Sequence, residues 1–507
     1  MNGQERTILF LIADTGAGHR SAANAIRNAI NIIAQREQEK WLALQQESAG
    51  QAATPLTSTA PGLAVNPVPI ATAVSSGSPA SLAPPPAAYR VEIVDAFEEY
   101  SRFPLRGAMK LYGPAIRYNP RLYGQVFHLS NQAQTVTAVQ TVASPLIQNG
   151  LLRLIRSMQP DVIVSVHPLL NYVTLRALKE LNVPIPFITV VTDLVSLHYS
   201  WFAPGADAYI VPTEEAKKIY LARGLDHRCV RMLGMPIDPK FTLSTDSKEE
   251  LQRKLGLAHG LPIVLLVGGG EGSGGLRSAV QAISQARLPV QLLIVTGRNK
   301  RLYMHLQRVR ASLRVPAKIY GFVQNMPELM RASNVIVTKA GPGTICEALA
   351  CDLPIIISAF VPGQEEGNVT FVTENDVGSL AYDSLELVNM LRLLIKPGSP
   401  VLHHQLENAR RIARPNASFD IAACILSFLP ASGEPGVWQQ SPEQRERNGR
   451  RGLGATRARR LQTVVSARIV RARRQAEARS VKTVKTIRGR LKRLHIIDRT
   501  SRKRRKR

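Results

Sequence analysis

Short apolar runs that alternate with stretches of helical spacing leave this chain few folds to adopt. One series of runs covers residues 7–13, 90–95, 161–166, 187–192 and 208–211, and a second covers 263–267, 291–295, 317–320, 334–337 and 354–358. Most are rich in Val, Ile and Leu without polar alternation, as strands buried on both faces must be. Strands separated by helices pair in parallel, with the helices covering the sheet. At 507 residues the chain also exceeds a single domain of ~100–200 residues. The fold class expected is therefore α/β, with two doubly wound, Rossmann-like domains facing each other across a cleft. The turn-rich Gly234-Met-Pro-Ile-Asp238 marks the join. It divides an N-terminal domain over 1–235 from a C-terminal one over 236–416, with a closing helix over 417–430.

Charge is distributed unevenly. Residues 441–507, the bulk of a tail expected over 431–507, hold 25 Lys/Arg against 4 Asp/Glu and so account for +21 of the chain's +28, leaving the body nearly balanced. Within the tail Leu461, Val464, Val465, Ile469, Val481, Val484, Ile487, Leu491 and Leu494 keep a helical period among the basic residues. A basic amphipathic helix of this kind suits an anionic membrane surface. Clustered Arg and Lys also attract nucleic acid, but no Trp, Phe or Tyr follows Trp438 to stack on bases, which argues against that partner. A solvated tail with no partner is the bland alternative. Residues 51–88 carry eight prolines and no charge, a composition expected to form a disordered insertion in a surface loop.

Cys229, Cys346, Cys351 and Cys424 form no Cys-x-x-Cys and no zinc-ligand spacing, which fits reduced thiols. No apolar run approaches the ~20 residues that span a bilayer. The first strand also lacks a basic leader and cleavage site. These features predict a cytoplasmic protein, peripheral on the inner face of the cell membrane.

Two motifs in the second half carry the chemistry of a nucleotide-sugar site. In Thr338-Lys-Ala-Gly-Pro-Gly-Thr-Ile-Cys-Glu347, Gly341 and Gly343 sit between a strand and a helix, where first-turn N–H groups favour a diphosphate. Thr344 follows, and Glu347 falls one turn into the helix, within reach of ribose hydroxyls. Pro362-Gly-Gln-Glu-Glu-Gly-Asn368 adds acids and amides for sugar hydroxyls. A plain turn with a solvated Glu347 is the competing reading of the first motif alone. A third loop, Gly268, Gly269, Gly270 and Gly272 after the strand 263–267, lets main-chain N–H groups approach a pyrophosphate. It also admits a dinucleotide reading, but the next strand ends in Thr296, Gly297 and Arg298 where an acid for the ribose is needed.

In the first half, His19 follows the opening strand in Asp14-Thr-Gly-Ala-Gly-His-Arg20, with a helix expected from Ser21. That places its imidazole at the carboxyl edge of the sheet, ready to take a proton at neutral pH, although a lone histidine in a turn is more often structural. Ser165-Val-His167-Pro and Thr192-Asp193 through His198, Trp201 and Phe202 fall on the same edge, where open α/β sheets place their sites.

Together, Asp14 to Arg20, Val164 to Pro168, Thr189 to Asp193 with His198, Trp201 and Phe202, Gly268 to Gly272, Gly297 to Lys300, Lys339 to Ile345 and Gly363 to Asn368 resemble the monogalactosyldiacylglycerol synthases over nearly the whole body. Diacylglycerol glucosyltransferases and the UDP-GlcNAc transferase of peptidoglycan synthesis share the fold and some motifs. The resemblance implies a metal-independent, inverting glycosyltransferase of GT-B fold. Diacylglycerol would bind the N-terminal domain and a UDP-hexose the C-terminal one, with no further cofactor and no metal ligand. It implies His19 as general base oriented by Asp193, and Gly16, Gly18, His167, His198, Trp201 and Phe202 on the acceptor side. On the donor side it implies Phe322 and Val323 at uracil, Gly341, Gly343 and Thr344 at the phosphates and Glu347 at the ribose. The glycines 268, 269, 270 and 272 and Arg298 fall on the same side, with Gln364, Glu365, Glu366 and Asn368 at the sugar. Ala17 stands where the family pattern has Gly and Glu366 where it has Ala, and the insertion and tail lie outside the pattern. Glu366 leaves the choice between galactose and glucose open.

Overall fold

Strands whose residues are apolar on both faces need cover on both faces, and the chain supplies it twice. The computed structural model describes residues 5–14, 17–52, 85–110, 120–244, 246–269, 275–431 and 434–439. One sheet contains β1 (Glu5–Ile12), β2 (Ala88–Asp95), β3 (Val162–Ser165), β4 (Phe187–Val190), β5 (Ala208–Val211) and β6 (Val230–Met232) in the order β2-β1-β3-β4-β5-β6. The other contains β7 (Ile263–Val267), β8 (Gln291–Val295), β9 (Ala317–Tyr320), β10 (Val335–Lys339), β11 (Ile355–Ala359) and β12 (Gly378–Leu380) in the order β12-β11-β10-β7-β8-β9. Every strand pair is parallel. This is the expected two-sheet GT-B architecture. The short edge strands β6 and β12 were not foreseen, because three residues with one exposed or half-exposed flank leave no apolar run to read.

Strand order reverses once in each sheet, between β1 and β3 and between β10 and β7. The loops leaving the carboxyl ends of those neighbours lie side by side, and there an α/β sheet opens a crevice for ligands.

The first helix runs Ala17–Ala52, four residues earlier than its apolar stripe predicts, so His19 sits in its first turn. Ala22, Ile26, Ala29 and Ile30 are buried as that stripe requires. They pack with Ile421, Ala422 and Ile425 of the last helix, Ala417–Leu426, against Ile8 and Phe10 of β1. The chain therefore crosses back to the N-terminal sheet after building the C-terminal one. At the crossing, a Cβ on Gly234 (φ +102°) would lie 2.7 Å from Cβ of Arg414 and 2.8 Å from that of Ala417, so only glycine fits.

The body also extends past the expected start of the tail. The Arg6 guanidinium, 1% exposed, donates to the carbonyls of Ala431 (3.0 Å) and Glu434 and faces Asp161 at 3.7 Å. Trp438 Nε1 donates to Pro160 O at 3.0 Å, and Val437 joins the core. The insertion's residues 53–84 and the tail from 440 lie outside the described residues. A chain ended at Pro430 would strand the buried Arg6 guanidinium without its carbonyl partners. It is expected to be less stable in urea than one ended at Gln439 by about 2–4 kcal/mol. Equal unfolding midpoints would show that residues 431–439 add nothing to the fold.

Candidate functional site

Reversal between β1 and β3 brings two histidines together. The His19 ring meets His167 edge-on at 4.6 Å and Trp201 at 6.3 Å, and its Nδ1 pairs with Thr192 Oγ1 at 3.1 Å. Burial pushes His19 down to about 4, against a backbone hydrogen bond to Val166 and the Asp14 charge, so the ring is neutral at physiological pH. His167 lies well below its usual range, through burial and then His19 itself. It also caps the helix Pro168–Leu181, its Nδ1 accepting weakly from Leu169 N at 3.4 Å. The expected pairing of Asp193 with His19 is not what the structure contains. Asp193 Oδ2 accepts from Trp201 Nε1 at 2.6 Å, and Thr192, one residue earlier, holds the imidazole, because alternate positions leaving β4 point to opposite sides. Trp201 is fully buried.

His198 stands farther out. Its Nδ1 pairs with Ser200 Oγ (2.7 Å) and its Nε2 with Ser130 Oγ (3.2 Å), with Phe127 edge-on at 5.1 Å. Burial, then the Arg223 charge, lowers it to about 4. Phe202 packs on Tyr199 and Tyr220 under the Arg223 guanidinium. Both are thus committed to partners within the N-terminal domain. Gly18 has open space where a Cβ would go, and Gly16 lies outside the described residues.

In the second sheet the reversal places the loop after β7 over the end of β10. Gly269 (φ +66°) turns so closely that a Cβ would lie 3.0 Å from Lys339 Cε. Gly268 N bonds Val295 O at 3.3 Å, while Gly270 and Gly272 fall outside the described residues. Gly341 is the N-cap of the helix Pro342–Ala350, and a Cβ on Gly343 would meet nothing within 4 Å, so the first turn is open to a ligand. Thr344 and Glu347 are half-buried beside it. The Glu347 carboxyl group makes no hydrogen bond or ion pair among the described residues, and burial, then the Asp238 charge, lifts it to about 7. Arg298 covers the 62% exposed Phe322 ring at 5.5 Å, with Val323 packed behind.

The sugar-side motif divides in two. Glu365 is buried, paired with Lys339 Nζ and accepting from Val361 N at 2.9 Å, and Asn368 Nδ2 donates to Ala340 O at 2.8 Å. These two brace the loop against β10, contrary to a simple role on sugar hydroxyls, because each has a buried polar partner to satisfy. Gln364 and Glu366 stay nearer the surface, Glu366 with His128 Nε2 at 3.9 Å. The two sheets touch here. Gly367 N donates to Ser196 Oγ at 3.0 Å, and Gly363 and Gly124 approach so closely that a Cβ on Gly124 would lie 2.9 Å from Pro362.

Thr192, Lys339 and Ser196 carry no local signal of their roles in the sequence, since their partners lie far away in the chain. Among the described residues no three His, Cys, Asp or Glu side chains converge as a metal site, and no helix is long and apolar enough to cross a membrane.

Asp193 is lifted to about 6 by burial, against its bond from Trp201 and with the Glu365 charge adding to the rise. A folded-state pKa above the free value stabilises the fold at low pH, and the contribution is lost as pH rises through about 6. Asp193→Asn keeps an acceptor for Trp201 and removes the charge. It is expected to raise stability by about 2 kcal/mol at pH 8 and to change it little at pH 4, read from urea unfolding at both pH values. Equal shifts at the two pH values would show that the Asp193 charge is not strained.

A monogalactosyldiacylglycerol (MGDG) synthase profile matches residues 86–237, and a glycosyltransferase family 28 C-terminal domain profile matches 263–380. Monogalactosyldiacylglycerol synthase 2, chloroplastic, of Arabidopsis thaliana is 32% identical over 438 residues, covering 83% of this chain and 81% of that protein. The chloroplastic monogalactosyldiacylglycerol synthase of Spinacia oleracea is 32% identical over 432 residues, 82% of this chain and 71% of that protein. Among solved structures, MurG of Acinetobacter baumannii matches with a TM-score of 0.47 at 12% identity, over 83% of this chain and 99% of that one. The chloroplastic relatives overturn the expected place on the inner face of the cell membrane. Basic charge selects an anionic surface of any membrane and does not tell one membrane from another. The two profiles and the relatives agree on descent: the chain belongs to the monogalactosyldiacylglycerol synthase family.

Proposed function

We propose that this chain transfers a hexose, galactose by analogy with its named relatives, from a UDP-sugar to the hydroxyl of 1,2-diacylglycerol. The observation that carries the reading is a neutral His19 at the β1/β3 crevice, paired with Thr192 of the loop after β4, whose Ser196 accepts from Gly367 N of the second domain. Residues 1–235 then serve the acceptor and 236–416 the donor. The diacylglycerol oxygen attacks the anomeric carbon while His19, its ring held by Thr192, takes the hydroxyl proton. The bond from the anomeric carbon to the β-phosphate oxygen breaks, its electron pair stays on that oxygen, and UDP leaves. Attack from the face opposite the leaving group inverts the anomeric centre. Asp193 acts on Trp201 and so shapes the wall beside the base.

On the donor side Phe322 and Val323 hold uracil, Gly341, Gly343 and Thr344 the diphosphate, and Glu347 the ribose. Glu347, its pKa lifted to about 7 and its carboxyl group without a partner among the described residues, has both oxygens available to the two hydroxyls. Gln364 and Glu366 face the sugar. Lipid as acceptor is supported by exposed apolar side chains on helices beside the cleft: Val126 and Leu129 on Pro120–Ser130, and Val139 and Val142 on Ala133–Ala143. We extend the reading to the basic tail, as a contact to an anionic lipid surface on the strength of its sequence.

Purified protein given diacylglycerol vesicles and each UDP-hexose in turn is expected to form monohexosyl lipid, with UDP-galactose the preferred donor. Product with UDP-glucose alone would reassign the hexose, and no lipid product with any donor would reject the reading. His19→Ala should cut transfer by about 10²–10⁴-fold while UDP affinity stays unchanged, since the base serves the acceptor. Activity within about tenfold of wild type would remove His19 from its role.

A further inference from the structure

Lys339 is a cation that both Gly269 and Gly341 approach. It ends β10 at a register slip between Thr338 and Lys339 in the pairing with β11, an irregularity of the kind that re-aims a side chain. Its stem lies under Gly269, where a Cβ would be 3.0 Å from Cε, and its Nζ lies 3.7 Å from the place a Cβ on Gly341 would occupy. The side chain is 25% exposed and its partner Glu365 only 7%. Two glycines, neither with a Cβ, therefore flank the Lys339 side chain, Gly269 at its stem and Gly341 at its ammonium group, and the carboxylate that pairs with it is Glu365.

An ion pair this buried is no economical way to brace a loop, since apolar residues of the same volume do as well or better. A charge kept in such a place has more to gain from a ligand whose own charge grows during the reaction. We propose that Lys339 is a catalytic residue of the proposed transfer: its ammonium group leaves Glu365 to donate to the β-phosphate as the sugar–oxygen bond breaks. This rests on the donor reading above. The electron pair of the broken bond stays on the β-phosphate oxygen, the hydroxyl proton goes to His19, and Lys339 keeps all its protons. When UDP departs, Lys339 returns to Glu365, which resets the loop for the next donor. Glu365 is thus a positioning residue that holds the ammonium group until the phosphate carries enough charge to take it.

Calorimetry with UDP and with uridine, which has no phosphate, separates this role from a structural one. Lys339→Met is expected to weaken UDP by about 10- to 100-fold, the worth of one hydrogen bond between charged groups, and to leave uridine unchanged. Transfer kinetics should show kcat falling more than KM rises, because the contact strengthens as charge develops. Lys339→Arg should keep most of the UDP affinity. Since Lys339→Met strands the Glu365 carboxylate, the double variant Lys339→Met with Glu365→Gln removes both partners, and the same selective loss of UDP is expected there. Unchanged UDP affinity in both variants would overturn the proposal, as would parallel losses of UDP and uridine, which mark a structural prop. A wild-type protein that binds neither compound would sink the donor reading and this inference together.

Discussion

Strand-order reversal in a parallel sheet is the constraint from which the site follows. Parallel strands send all their carboxyl ends to one edge, and the loops there splay apart only where the chain turns back on its own order. In the first sheet the reversal lies between β1 and β3, which sets His19 against His167. In the second it lies between β10 and β7, which lowers the turn at Gly269 onto Lys339. Each sheet gains a crevice by the same topological step. The two crevices are joined where Gly367 bonds Ser196 and where Gly124 meets Pro362, contacts so close that a single methyl group on either glycine would separate them.

Burial then sets the charge state of what those crevices hold. Desolvation opposes charge of either sign, so it lowers His19 to about 4 and lifts Asp193 to about 6 and Glu347 to about 7. A neutral imidazole can accept a proton, and a carboxyl group lifted toward neutrality gains most from a ligand that brings hydrogen-bond donors. Under the proposed function, the substrates supply those partners. Such arrangements oppose the fold's own stability, as expected where function and packing compete. The clamp of Arg6 on the carbonyls of Ala431 and Glu434, at the far end of the same strands, acts the other way, closing the body over a buried charge.

Much of this was written in one dimension. The apolar runs located most of the strands, because burial on both faces favours a near-continuous Val, Ile and Leu composition. Glycines between strand and helix marked the phosphate-type loops for an equally local reason, the need for bare backbone. The family resemblance, carried by those motifs, agreed with the comparisons. Partners across the fold had no such local trace. That Thr192 and not Asp193 holds His19 depends on which way two adjacent side chains leave β4. That Glu365 and Asn368 turn inward while Glu366 stays out depends on Lys339 and Ala340, some 26 and 28 residues away in the chain. Edge strands of three residues and the return of residues 434–439 to β1 are likewise products of packing between distant segments. Composition and spacing record what a residue needs from its own backbone. Which partner meets that need is settled only when the sheets close on each other, because pairing energy is set by distance in space and not along the chain.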